Sequence, residues 1–280
     1  MTVASLINSL KGLLTRGSAA NPDGDAMCIV EAVLGYSRVD TVIHADDEVA
    51  DADAEHMTDM ARRRVSGEPI QYVIGSWSFM GRDYHVGKGA LIPRDDTEVV
   101  TTAAAKLMKD TPSPVIVDLC SGTGIIAITL SKLIPGADIT AVEKSGEAFA
   151  YLAENAEEHN AGIRLIHADL RDCAVEFEDG SLDMIVSNPP YIPSGEIASL
   201  QSEVQYEPRL ALDGGEDGCD FYSMILRLYA RKLRSGGVIA FEIGEEQFDT
   251  ISQMLIGYGF YDIKGYTDIQ GTVRAVTAVA

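Results

Sequence analysis

From Val115 onward short apolar runs alternate with longer helical stretches, and this alternation restricts the fold more than any other feature of the chain. The runs Val115–Leu119, Asp138–Val142, Arg164–His167, Leu182–Val186 and Val238–Phe241 read as strands. Ile125–Leu133, Gly146 to about His159, and Phe221–Leu233 read as the helices between them, the last leading into its strand through Gly236–Gly237. Repeated strand–helix units imply a parallel sheet with right-handed crossovers. Two last strands, about Phe260–Tyr266 and Thr272–Val279, lie close enough in sequence to form a hairpin and add an antiparallel element. The expected fold class is therefore α/β, with a seven-stranded, mostly parallel sheet.

Ahead of this region the chain reads differently. Residues 1–66 carry helical patterns: Val3, Leu6, Ile7, Leu10, Leu13 and Leu14 are at helical spacing, and a turn is expected at Gly17–Pro22. Asp25 is expected to cap a second helix that ends at Gly35, and a further helix, Ala52–Val65, carries Met57, Met60 and Ala61 inward. The run Arg62–Arg63–Arg64 near its end suits the helix dipole, either as a solvated last turn or as a docking element. Gly67–Gly75 (GEPIQYVIG) is followed by a β-rich stretch through Trp77, Phe79, Tyr84 and Val86 that reads as a hairpin. With 280 residues there is room for more than one core. The expected division is a helical docking domain at 1–70, a β-hairpin linker at 71–91 and a catalytic domain at 92–280.

The chemistry is concentrated after the fourth of these strands, in Ser187–Asn188–Pro189–Pro190–Tyr191–Ile192. In open α/β sheets the rim beyond the carboxyl ends of the strands is where ligands bind. Two consecutive prolines donate no backbone hydrogen bonds and hold their dihedrals near one value, so the loop is stiff. It offers an amide carbonyl, a backbone carbonyl and an aromatic ring together. That set suits a planar group bearing –NH₂, with two acceptors for its hydrogens and a ring for its flat face. The plainer alternative is a tight turn that ends a strand.

A second signal follows the first strand. Cys120–Ser121–Gly122–Thr123–Gly124 opens the next helix, and its glycines let the backbone approach a ligand at a helix N-terminus. Glu143 ends the following strand, where a carboxylate grips ribose hydroxyls in nucleotide-binding folds. Such a turn serves dehydrogenases and methyltransferases alike. The Asn–Pro–Pro–Tyr loop discriminates, because S-adenosylmethionine enzymes acting on planar nitrogens have a use for it and dehydrogenases do not.

Six blocks in order carry a resemblance over nearly the whole chain: GEPIQYVIG, LIPRDDTE (Leu91–Glu98), DLCSGTG (Asp118–Gly124), SNPPYI, EPRLALDGGEDG (Glu207–Gly218) and FEIGEEQ (Phe241–Gln247). Together they resemble the release-factor glutamine methyltransferases. Two departures stand out: Cys120 where many members have Gly, and Glu143 where Asp is frequent. The resemblance implies a Rossmann-like S-adenosylmethionine-dependent methyltransferase domain beside a small N-terminal helical domain. It implies S-adenosyl-L-methionine as donor and the glutamine in the GGQ loop of a peptide-chain release factor as acceptor. Asn188, Pro189, Pro190 and Tyr191 would bind the substrate, with Asn188 and Pro189 accepting the amide hydrogens and Tyr191 packing on the amide, and Asn188, Pro189 and Tyr191 as catalytic residues. Cys120, Ser121, Gly122, Thr123 and Gly124 would cradle the donor's methionine part, Glu143 its ribose and Leu170 its adenine, with Asn188 near the methyl group. Asp118 would position the donor or cap its turn, and Gly214 and Gly215 read as loop hinges.

Charge and cysteines narrow the alternatives. A net charge of −21 argues against long nucleic acid as the main partner, since neutralising phosphates requires basic side chains. A nucleic-acid exocyclic-amine methyltransferase is therefore the weaker rival, and a glutamine methyltransferase of ribosomal proteins the nearer one. Four scattered cysteines and five histidines without HxxxH spacing predict no metal and a reducing, cytoplasmic setting. No apolar run reaches the length of a membrane span, so no membrane partner is expected.

Overall fold

The computed structural model describes residues 1–17 and 19–280. Ser18, within the turn expected at Gly17–Pro22, lies outside the described residues. In chain order the helices are α1 (Val3–Arg16), α2 (Pro22–Leu34), α3 (Arg38–Ile43), α4 (Asp51–Val65), α5 (Ile70–Ile74), α6 (Asp96–Met108), α7 (Ile125–Leu133), α8 (Gly146–Glu158), α9 (Leu170–Cys173), α10 (Ser202–Gln205), α11 (Arg209–Leu212), α12 (Asp220–Tyr229) and α13 (Phe248–Gly257). The strands are β1 (Ser76–Phe79), β2 (Arg82–His85), β3 (Val115–Leu119), β4 (Asp138–Glu143), β5 (Arg164–His167), β6 (Leu182–Ser187), β7 (Leu233–Glu242), β8 (Tyr261–Thr267) and β9 (Val273–Val279). They form two compact units, Met1–Ser76 with Gln201–Tyr206, and Trp77–Leu200 with Glu207–Ala280.

In the helical unit Leu6, Leu10 and Leu14 line one face of α1 and are buried, as are Ile29 and Val30 of α2 and Met57, Met60 and Ala61 of α4. The cap of α2 differs from expectation. Pro22 takes the first helical position, where its missing N–H costs nothing, and Asn21 Oδ1 accepts from the Gly24 amide. Asp25 is thereby placed inside the helix and buried, which only a cationic partner permits. That partner is Arg64, itself buried, whose Nε donates to Asp25 Oδ2 at 2.8 Å and whose Nη1 donates to the Glu68 carbonyl at 3.2 Å. Its Nη2 pairs with Glu203 on α10. Arg63 grips the Glu68 carboxylate and donates to the Tyr72 and Val73 carbonyls, satisfying the open end of α5. Of the arginine run only Arg64 is thus buried; Arg62, beside Asp59, and Arg63 are exposed. Within GEPIQYVIG, Ile70–Ile74 fold as α5, closed by Gly75 at φ 82°.

The second unit is built on a sheet of order β5-β4-β3-β6-β7-β9-β8, parallel from β5 to β7 and antiparallel at β9 and β8. Side chains alternate between its faces with the period of two that strands impose. Val117 and Leu119 of β3 join one core with α9, α12 and α13, and Ile116 joins the other with α6, α7 and α8. All six residues of β6 are buried, as a central parallel strand requires. The helix expected to reach Leu233 stops at Tyr229, a short 3-10 turn follows, and β7 already starts at Leu233. Leu233 pairs with Leu182 and Val238 with Met184, so Gly236–Gly237 lie in a bulge within the strand rather than ahead of it. β1 and β2 form a separate hairpin whose two loop residues, Met80 and Gly81, both have positive φ, the geometry that matches strand twist.

The chain runs outward from β3 to β4 and β5, then returns to place β6 on the other side of β3. Neighbouring strands whose connections leave in opposite directions open a crevice at their carboxyl ends. That crevice holds the site.

Candidate active site

Four strands carry a polar group at or next to their carboxyl ends: Asp118 is next to last in β3, and Glu143, Ser187 and Glu242 close β4, β6 and β7. After β3 the chain makes a tight turn with positive φ at Cys120 (60°), Gly122 (57°) and Gly124 (86°). For Cys120 the left-handed conformation costs about 1–2 kcal/mol, which the surrounding bonds offset. Ser187 Oγ donates to the Leu119 carbonyl at 2.5 Å, Ser121 N to the Val142 carbonyl at 3.1 Å, and Gly122 N to Glu143 Oε2 at 2.8 Å. The other oxygen of Glu143 accepts from Ser145 N at 2.6 Å, at the cap of α8. Burial pushes the Glu143 acid up, while the two amides favour its charged form. Glu143 therefore ties turn to helix and still has lone pairs on both oxygens for another donor.

Burial pushes Asp118 up to about 8. Its Oδ2 accepts from the Ala127 amide in the first turn of α7 at 3.3 Å, and its Oδ1 has no partner among the described residues. The two glycines of the turn divide their work. A side chain on Gly122 would meet nothing within 4 Å, so this backbone faces open space. A Cβ on Gly124 would come 2.4 Å from Leu152, so its small size serves packing on α8 rather than approach to a ligand.

The turn opens on a cavity of about 220 Å³. Cys120, Ser121, Gly122, Thr123, Glu143, Leu170 and Asn188 all contribute to its wall, together with Pro190. Gly124, Pro189 and Tyr191 do not. Pro189 is buried, and Tyr191 packs partly against the core that holds Tyr222 and Phe241, its hydroxyl 3.4 Å from Glu242 Oε1. Asp169 stands at the cavity rim, held well below the ordinary carboxylate range by Arg171 and Lys144.

The Asn188–Ile192 loop is held from two sides. Ile192 N donates to the Leu212 carbonyl at 3.0 Å, and Gly214 N to the Ile192 carbonyl at 2.8 Å. A Cβ on Gly214 would stand 2.7 Å from Tyr191 Cα and 2.9 Å from the Pro190 carbonyl, and one on Gly218 would be 2.3 Å from the Tyr191 carbonyl. These glycines are close-approach positions; Gly214, read earlier as a hinge, is clamped against backbone. Gln247 Nε2 donates to the Tyr191 carbonyl at 3.0 Å and to the Gly218 carbonyl at 3.3 Å. Glu207, buried, accepts from the Ile92 amide at 2.9 Å and pairs with Arg94, joining two further wall segments.

Asn188 belongs to a polar group of four, with Thr97, Glu242 and Tyr191. Asn188 Nδ2 donates to Thr97 Oγ1 at 3.2 Å. Thr97 and Glu242 are each 1% exposed, and burial pushes the Glu242 acid up to about 7. The hydroxyls of Thr97 and Tyr191 both favour its charged form, although Glu242 Oε2 has no partner at full hydrogen-bonding geometry.

Residues 5–75 match the family described as PrmC N-terminal domain, and residues 95–204 match the methyltransferase small domain. A release factor glutamine methyltransferase of Geobacter sulfurreducens is 35% identical over 276 residues, spanning 98% of this chain and 95% of its own. This chain belongs to the release factor glutamine methyltransferase family. A relative of the same name from Clostridium botulinum is 33% identical over 281 residues, 99% of each chain. The fold alone is shared with a methyltransferase of Pyrococcus furiosus, at TM-score 0.53 and 18% identity over 79% of this chain and 98% of the other.

Within this release factor glutamine methyltransferase fold, sequence reasoning missed Thr97, Glu242, Glu207 and Gln247. Three of them sit in the blocks LIPRDDTE and FEIGEEQ. For Glu242 a local signal existed: like Glu143, it is an acid directly after an apolar run. Thr97 offered none, because a threonine in a first helical turn is ordinary capping chemistry.

Proposed function

We propose that this enzyme transfers a methyl group from S-adenosylmethionine to the side-chain amide nitrogen of the glutamine in the GGQ loop of peptide-chain release factors. The observation that carries this reading is the meeting of Asn188 and Pro190 with the Cys120–Thr123 turn in one cavity at the switch point between β3 and β6. The wall fits the donor. Gly122 leaves its backbone open, Glu143 keeps lone pairs for ribose hydroxyls, and Leu170, Phe221 and Met224 offer apolar surface for a flat base.

When bound, S-adenosylmethionine supplies an electrophilic methyl carbon on a sulfonium. The chain's own residues handle the acceptor, whose nitrogen is a poor nucleophile because its lone pair is delocalised into the carbonyl. Asn188 Oδ1 and the Pro189 carbonyl accept its two hydrogens, aim the nitrogen and stabilise positive charge as it develops. The nitrogen–carbon bond forms as the carbon–sulfur bond breaks, one amide proton leaves to solvent, and N5-methylglutamine and S-adenosylhomocysteine result. Tyr191, tethered to Glu242, flanks the flat amide.

Residues 1–70 are assigned to docking of the protein substrate, the segment 71–91 to linking and 92–280 to catalysis. The chain's acidic character suits a basic protein partner. No described helix is long and apolar enough to cross a membrane, and the four cysteines are free, in keeping with work in the cytoplasm.

Mass spectrometry of a purified release factor, after incubation with enzyme and S-adenosylmethionine, tests this reading. One methyl on the GGQ-loop glutamine is expected, and Asn188→Ala should lower the rate by on the order of 10²-fold while donor binding stays intact. Donor binding with no methyl gained by a competent release factor would sink the substrate assignment.

A further inference from the structure

The loop serves its purpose only if Asn188 turns its carbonyl oxygen, and not its amide nitrogen, toward the acceptor. The two orientations have the same shape, so packing alone does not choose between them. The choice depends on what the other end of the amide meets, which is Thr97 Oγ1 at 3.2 Å. A hydroxyl both donates and accepts, so Thr97 by itself would satisfy either orientation. Glu242 breaks the tie. An ionised carboxylate only accepts, and this one is approached by the hydroxyls of Thr97 and Tyr191. Once the Thr97 proton points at Glu242, its oxygen has only lone pairs left for Asn188 and must receive Nδ2. Oδ1 is then the free end.

We propose that Glu242, acting through Thr97, is a positioning residue that fixes the Asn188 side chain with Oδ1 presented to the acceptor nitrogen, and that it holds Tyr191 from the same carboxylate. This rests on the methyl-transfer reading above. Reversed, Asn188 would set N–H against N–H, and the acceptor would lose the group that aims it. The other charges facing Glu242 do not replace this arrangement. Asp96 on α6 opposes its ionisation, and Arg274 on β9 favours it, but Arg274 is bonded to Asp268 at 3.0 Å and lies 3.3 Å from Asp96. The acid, raised to about 7, makes the device sensitive to pH: a protonated Glu242 donates, and Thr97 is released to turn either way.

The experiment compares wild type, Thr97→Ser, Thr97→Val and Glu242→Gln for kcat, KM and calorimetric donor affinity across pH. Thr97→Val and Glu242→Gln should each lower kcat by about 10- to 100-fold, with donor affinity within about twofold, whereas Thr97→Ser stays near wild type. Wild-type kcat should rise with pH through about 7, and this inflection should vanish in Glu242→Gln. A fully active Thr97→Val, or a Thr97→Ser as poor as Thr97→Val, overturns the proposal alone. An inactive wild type overturns it together with the methyl-transfer reading. Should Glu242→Gln not fold, the Val–Ser comparison at position 97 decides by itself.

Discussion

The Arg64 cluster of the helical unit and two acids at the strand ends of the sheet unit bury charge in opposite ways. In the helical unit Arg64 meets acceptors on all three of its nitrogens, from Asp25, Glu68 and Glu203. In the sheet unit Asp118 Oδ1 and Glu242 Oε2 are buried with no hydrogen-bond partner among the described residues, at the carboxyl ends of strands beside the cavity. A buried charge that is fully paired holds architecture, and removing one member leaves the other exposed to the full desolvation cost. A buried acid left short of partners is expensive, and folds keep such groups where their effect on neighbours is used. The contrast separates a structural cluster from a working one without reference to distance from the cavity.

The largest expected effect lies in the structural cluster. Arg64→Ala should destabilise the protein by about 3–5 kcal/mol, read from urea denaturation, because Asp25 is left buried and unpaired. Donor affinity of the folded protein should hardly move. A loss below about 1 kcal/mol would return the arginine run to the status of a solvated turn and break the comparison. Next comes the packing that supports the loop. Gly214→Ala forces a methyl to within 2.7 Å of Tyr191 Cα, so a loss of about 1–3 kcal/mol should accompany a slower methyl transfer. Unchanged turnover with lowered stability would show that the loop's backbone position is not critical.

The smallest effect is the pH dependence of stability. Asp118 and Glu242 have folded-state values near 8 and 7, both raised above the ordinary carboxylate range by burial. A raised group contributes stability that is complete below the ordinary value and is lost as pH rises through the folded one. Melting temperature should therefore fall from about pH 4 to about pH 8, and Asp118→Asn should flatten that slope. Burial also raises Asp25, against the pull of Arg64, so that cluster adds to the slope, and a slope undiminished in Asp118→Asn and Glu242→Gln together would remove the distinction between the two kinds of burial.

Much of this was legible in residue order. The α/β alternation, the terminal hairpin and the helical start follow from apolar spacing and turn residues, which report interactions a few residues long. So do the positions of Glu143 and Asn188, since a polar residue after an apolar run falls at a strand end. The errors were also local in form: Asp25 read as a cap because Asn21–Pro22 was the better start, and Gly236–Gly237 read as a turn although a bulge absorbs them.

What only the tertiary structure decided is who meets whom. Arg64 is 39 residues from Asp25 and 139 from Glu203, Asn188 is 91 from Thr97, and Tyr191 is 51 from Glu242. Periodicity and capping are set by neighbours along the chain and can be read there. Burial of a charge, the partner that pays for it and the direction of a hydroxyl proton depend on segments distant in sequence that the tertiary fold brings together, which no local pattern encodes.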